Sequence, residues 1–152
     1  MLIIEDTRNK AGKHENLHRS WVRSGTPWVR SGLWFGDYWA APRVAVDTKQ
    51  DIQEIGVNLC GNGAERKRFR AECDKAKTAG CRLVFLIEDK RYANIKDLFG
   101  KTIWIHDGRT ISGDSIASEM YALQERFGVE FRFCSPADAG EIIKEILEEG
   151  DA

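Results

Sequence analysis

The stretch RLVFLIED, residues 82–89, leaves the fewest options for how this chain folds. Its five consecutive apolar residues, Leu83 to Ile87, have no polar face, so a strand made of them must be covered on both sides and lie inside a sheet. Helices able to cover it are legible on either side. HENLHRSWVRSG spaces Leu17, Trp21 and Val22 at helical intervals and stops at Gly25, before Pro27. QDIQEIGVNL reads as a short helix, and AERKRFRAECDKAKTAG as a charged one with Phe69 and Cys73 on one face. Ser112 caps a helix striped by Ile116, Met120, Leu123 and Phe127 and closed by Gly128. SPADAGEIIKEILEEG has Ser135 as cap, Pro136 in the first turn and Gly150 at the end. LIIED and VEFRFC read as further strands, and a short helix and a strand near Ile103 to Ile105 are expected between residues 93 and 110. WVRSG, LWFGDYWA and RVAVDTK, broken by Gly and Pro, predict an antiparallel meander. The expected fold is an α/β sandwich with a mixed sheet.

Composition narrows the function classes. With 152 residues and 42% apolar content, one domain with a real core is expected. No apolar run approaches the roughly 20 residues that span a bilayer, and MLIIEDTRNK lacks the order of a signal peptide, so a cytoplasmic protein without membrane contact is expected. Cys60, Cys73, Cys81 and Cys134 form no C-x-x-C pair, and His14, His18 and His106 complete no zinc spacing; reduced, packed cysteines are expected. The net charge of −1 hides a segregation. Arg8, Lys10, Lys13, Arg19, Arg23 and Arg30 face the single acid Glu15 between residues 7 and 35, while residues 137–151 carry six acids against Lys144. Such a basic segment can meet a polyanion, or can simply be a solvated face.

The stretch GDYWAAPRVAVDTKQDI carries the chemistry. On a strand, Asp47 and Lys49 share a face while Thr48 points the other way. If Asp37 and Asp6 converge on that face, three carboxylates and one ammonium share a pocket. Hard oxygen ligands of this kind suit Mg²⁺ or Mn²⁺, with Lys49 orienting a water or offsetting charge that develops on a phosphate. Asp6, Asp37 and Asp47 are then the candidate metal ligands, and with Lys49 the candidate catalytic set. The same residues also read as a turn aspartate after Gly36 and an exposed ion pair at a strand end. Arg66, Lys67, Arg68 and Arg70 add a basic helix able to neutralise backbone phosphates, or merely to solubilise the helix. Trp21, Trp28, Trp34 and Trp39 either fill a core or interface or stack on unpaired bases.

A carboxylate followed by carboxylate-x-lysine on one strand resembles the PD-(D/E)xK nucleases. IIEDTR, GDYW, VAVDTKQDIQEI and RFRAECDKAKTAGCRLVFLIED together resemble the nuclease domain of XPF-type structure-specific endonucleases, which include the archaeal Hef nuclease. The matching positions are Asp6 and Arg8, Gly36 and Asp37, Asp47 and Lys49, and Ile87 and Glu88. The helix, strand and helix between residues 112 and 149 follow the family's order. This resemblance implies a restriction-endonuclease-like three-layer sandwich and a Mg²⁺- or Mn²⁺-dependent endonuclease acting on DNA, at branched or flapped structures, in DNA repair. It also implies a homodimer, for which the apolar band Ile142, Ile143, Ile146 and Leu147 of the last helix is the expected seam. Arg8 joins the basic helix as a DNA contact.

Four positions depart from the family's pattern. Asp47 replaces a Glu, Thr48 an Arg and Asn9 a Glu, and Gln53 stands at the motif's final Asp, with Asp51 nearby. No helix-hairpin-helix or helicase module is expected within residues 1–152. A catalytically inactive DNA-binding or scaffolding subunit, or another PD-(D/E)xK enzyme such as a junction resolvase, are the competing readings.

Overall fold

The apolar run of residues 83–87 lies where both its faces are covered. Strand β5 (Arg82–Ile87) is parallel to β4 (Val44–Lys49) on one side and to β8 (Glu130–Phe133) on the other. The computed structural model describes every residue except 11, 13, 41, 42, 151 and 152. Lys13 and Asp151 of the charge runs, and Pro42 of the expected meander, therefore lie outside the described residues. The sheet continues from β4 through β3 (Tyr38–Ala40) and β1 (Ile3–Asp6) to β2 (Trp28–Ser31), in the order β2-β1-β3-β4-β5-β8.

This is a mixed α/β fold in three layers. Helices α2 (Ile52–Cys60), α3 (Gly63–Thr78) and α4 (Gly113–Phe127) cover one face of the sheet, where the Phe85 ring stacks on Phe69 at 4.4 Å and on Phe131 at 5.3 Å. Helices α1 (Glu15–Ser24) and α5 (Ala139–Glu149) cover the other face, against Val84, Leu86 and Val46. The caps are local and sequence-driven: Asp51 accepts from the Glu54 amide at 2.8 Å, Asn62 from Glu65 at 3.0 Å and Ser112 from Ser115 at 3.4 Å. A separate hairpin, β6 (Thr102–Trp104) with β7 (Thr110–Ser112), precedes α4 and packs Ile103 into the first core.

Four expectations change. Ser135 and Pro136 open a short 3-10 turn over Pro136–Asp138, and α5 begins only at Ala139, without a side-chain cap. Only part of the predicted meander is antiparallel: β3 pairs antiparallel with β1 and β4, but β2 runs parallel to β1 at the sheet edge. Helix α1 between β1 and β2 makes that parallel return possible. Val22 is exposed, because α1 turns Leu17 and Trp21 inward instead. The apolar band of α5 is used within the chain: Ile143, Ile146 and Leu147 are buried against α1 and the sheet, each burial worth about 1.5–3 kcal/mol. Gly140 permits that close packing. A Cβ there would lie 2.7 Å from Ser20 Cβ, and the Trp21 indole donates to the Gly140 carbonyl at 3.1 Å.

Candidate active site

Sheet register brings the candidate carboxylates side by side. The Asp6 amide donates to the Asp37 carbonyl at 2.7 Å and the Asp37 amide to the Val46 carbonyl at 2.9 Å, so the ends of β1, β3 and β4 align. Residues directly opposite in antiparallel strands share a face, and this face looks toward α3. Asp6, Asp37 and Asp47 accordingly line one open cavity of about 500 Å³, together with Glu72 from α3.

Gly36 makes the approach to β3 possible. Its φ of +73° is a conformation that side chains disfavour, and a Cβ there would meet Ala45 Cβ at 3.3 Å. Its amide donates to Glu72 Oε1 at 3.0 Å, which ties the start of β3 to α3. Glu72 also shares a hydrogen bond with Asp47. Burial, then the charge of Asp47 and that hydrogen bond, pushes the Glu72 carboxyl up to about 9.

Asp37 sits one strand away. Desolvation first, and then the charge of Asp47, pushes it up to about 7, against the opposing pull of its Thr48 hydrogen bonds and of Lys49. Its Oδ2 accepts from the Thr48 amide at 2.7 Å and from the Thr48 hydroxyl at 3.0 Å. Lys49 Nζ lies 3.1 Å from Asp47 Oδ1, and the Phe69 and Phe85 rings lie within 6 Å of it. Burial alone would lower the Lys49 ammonium, but Asp47 and then Glu72 hold it above its ordinary value, so it stays charged.

Asp6 is engaged differently. Its Oδ2 accepts from Arg8 Nε at 2.5 Å and its Oδ1 from the Leu33 amide at 3.2 Å. Among the described residues, no group of three or more His, Cys, Asp or Glu side chains is arranged to hold a metal ion. What the site offers is a pair of carboxylates, Asp37 and Asp47, side by side on adjacent strands and lining the same cavity. This donor set fits Mg²⁺, which takes one or two carboxylates and fills its other positions with water and phosphate oxygens.

Of the four departing positions, Asp47 and Asn9 line the cavity and Thr48 holds Asp37, whereas Gln53 and the nearby Asp51 are turned elsewhere. Gln53 Oε1 accepts from Arg91 at 3.0 Å, and Arg91 also clasps Asp89, whose Oδ2 takes the Ile52 amide at 3.1 Å. Asp51 is the cap of α2. Neither lines the carboxylate cavity. Glu88 and Thr48 line a second cavity, with His14, Gln50 and Glu54.

The basic residues divide around α3. Arg68 lines the carboxylate cavity with Arg8 and Lys75, whereas Arg66, Lys67 and Arg70 line another depression and Arg70 pairs with Glu119 of α4 at 2.7 Å. Glu72 and Lys75 were absent from the sequence-derived site, and Trp34 was offered there only as one of four tryptophans that either fill a core or stack on bases. Helical spacing from Arg68 places Glu72 and Lys75 on the same face and was the available signal for both. Of the four tryptophans considered, Trp21 is fully buried and Trp28 and Trp39 are half-buried, while Trp34 is 54% exposed at the cavity.

No family model matches the chain, and no curated protein matches it in sequence. Solved structures do. XPF from Aeropyrum pernix is similar with a TM-score of 0.68 at 15% identity, over 98% of this chain and 64% of that one. The same protein in complex with DNA gives a TM-score of 0.70 at 15% identity, over 97% of this chain and 64% of that one. The chain therefore spans about two thirds of the length of the XPF chains it resembles. At this identity the likeness establishes the fold alone, and the fold is the one these XPF structures share.

Proposed function

We propose that this chain is a divalent-metal-dependent endodeoxyribonuclease that hydrolyses phosphodiester bonds at branched or flapped DNA. The observation that carries the reading is one cavity on an XPF-type fold in which Asp37 and Asp47 stand on adjacent strands with Lys49 beside Asp47 at 3.1 Å. Asp37 and Asp47 are the residues that would hold Mg²⁺ or Mn²⁺. When bound, such an ion supplies the Lewis acidity that polarises a phosphodiester and acidifies water. Lys49, charged and held by Asp47, orients the attacking water or offsets negative charge that builds on the phosphate. Thr48 fixes the Asp37 carboxylate, and Arg8, Arg68 and Lys75 receive the neighbouring backbone phosphates. Asp6 acts through Arg8 and Leu33, shaping the rim.

A second reading is favoured by a specific observation. Both oxygens of Asp6 are engaged within the chain, and Gln53 faces Arg91, so the acidic set is thinner than the family's pattern. A catalytically inactive DNA-binding subunit is consistent with this. Incubating the protein with labelled duplex, flap, fork and single-stranded DNA separates the two readings. Products with Mg²⁺ or Mn²⁺ and none with EDTA support the nuclease; binding without products under every condition supports the inactive subunit.

Self-association would use a surface other than the buried band of α5. Phe99 and Tyr121, both exposed and stacked at 6.5 Å, are apolar groups left open beside α4. Light scattering at micromolar concentration, with Phe99→Glu as the control, reads this directly. A mass of one chain for the unaltered protein would exclude the homodimer.

A further inference from the structure

We infer that Trp34 is a specificity-determining residue of the cavity, stacking on an unpaired base next to the phosphates that Arg8, Arg68 and Lys75 would receive. The inference rests on the nucleic-acid reading above.

The segment between β2 and β3, residues 32–37, is bent and without regular structure, yet it is pinned at each step. The Leu33 amide donates to Asp6 Oδ1 at 3.2 Å, and the Leu33 carbonyl accepts from Arg8 Nη2 at 2.8 Å. The Phe35 carbonyl accepts from the Trp39 indole at 2.7 Å, and the Gly36 amide donates to Glu72. Phe35 itself is buried, with its ring centroid 4.9 Å from that of Trp39. Between these anchors Trp34 points outward, 54% exposed, and meets Phe35 only at a tilted 5.9 Å contact. A large indole held in the open by a fixed backbone gives up little further conformational freedom when a flat partner arrives.

The surroundings select that partner. Arg8, Arg68 and Lys75 line the same cavity as Trp34, and so do Asp37 and Asp47. An apolar protein surface would have to desolvate these charges without pairing them, which is costly. A nucleic acid answers both kinds of group, with phosphates for the cations and a base face for the indole. In an intact duplex each base face is already stacked on its neighbours. Only an unpaired or extruded base can meet Trp34, so the residue favours substrates that present one at this cavity.

The test is binding in EDTA, where no cleavage occurs, by fluorescence anisotropy with labelled single-stranded, flap and fully paired DNA of equal length. Trp34→Ala is expected to weaken single-stranded and flap binding about 5- to 100-fold, to change duplex binding less than about twofold, and Trp34→Tyr is expected to restore most of the loss. Equal losses on duplex and single strand, no loss on either, or no DNA binding by the unaltered protein would overturn the inference. A separate digestion with Mg²⁺ or Mn²⁺ reads the nuclease assignment. Unaltered protein that binds with the expected contrast but cuts nothing would refute catalysis while leaving the role of Trp34 supported.

Discussion

Thr48 donates twice to a single oxygen of Asp37, from its amide at 2.7 Å and from its hydroxyl at 3.0 Å. Thr48 follows Asp47 on β4, while Asp37 enters β3, so one residue sets the orientation of the carboxylate on the neighbouring strand. The resemblance would put an Arg here; the chain uses a short hydroxyl instead. Thr48→Val keeps the shape and the amide contact but removes the hydroxyl donor, and a hydrogen bond to a charged group is worth about 1.5–3 kcal/mol. Cleavage by Thr48→Val should fall on the order of tenfold or more in kcat with DNA affinity unchanged, and Thr48→Ser should recover it. Equal activity in the Val and Ser variants would remove Thr48 from the positioning of Asp37.

Asp37→Asn, Asp47→Asn and Lys49→Ala should each lower cleavage by on the order of a hundredfold or more, because each removes a ligand or a charge used in the bond-breaking step. DNA binding in EDTA should survive, since Arg8, Arg68 and Lys75 are untouched. Asp6→Asn is expected to be milder, since both Asp6 oxygens already serve Arg8 and Leu33. Single-turnover digestion of the four variants ranks them; a normal rate in Asp47→Asn would refute the site.

Glu72 sets a pH dependence on the metal-free fold. Its carboxyl is raised from the ordinary 4.5 to about 9 by burial and by Asp47, so its contribution to stability is fully present below pH 4.5 and is lost as pH rises toward 9. The unfolded chain ionises Glu72 freely across that window, and the folded chain resists. Glu72→Gln keeps an acceptor for the Gly36 amide and removes the titration. Its melting temperature in EDTA should exceed that of the unaltered protein by a few degrees at pH 8, and the gap should close near pH 4.5. A gap independent of pH would mean that Glu72 acts through packing alone.

The two sets of cations on and around α3 should separate in salt titrations. Neutralising Arg8, Arg68 and Lys75 together removes phosphate contacts at the cavity and should lower both affinity and the slope of log affinity against log salt by up to about 0.9 per lost contact on duplex DNA. Neutralising Arg66, Lys67 and Arg70 should matter less, because they open on a different depression and Arg70 is held by Glu119. The reverse ranking would move the DNA path to the α4 side of α3.

The central strand, the helix stripes and the Ser112 cap were legible from residue order because their causes are local, whereas the expected Ser135 cap makes no cap hydrogen bond. Leu83 to Ile87 admit no exposed face, Ile116, Met120 and Leu123 recur at helical spacing, and Ser112 reaches the amide three residues on. The pairing of Asp47 with Lys49 was legible for the same reason, since alternate strand residues share a face. The parallel return of β2 to β1 was not, because a strand's partner depends on how the intervening helix packs. Nor was the diversion of Gln53 to Arg91, or the engagement of both oxygens of Asp6, since each partner lies far along the chain or across a turn. Glu72 reads as one more charge on a polar helix until α3 is laid across the ends of β3 and β4. Only that packing takes its carboxyl out of water and brings it to Asp47 and the Gly36 amide, where burial and a like charge change what the same side chain can do.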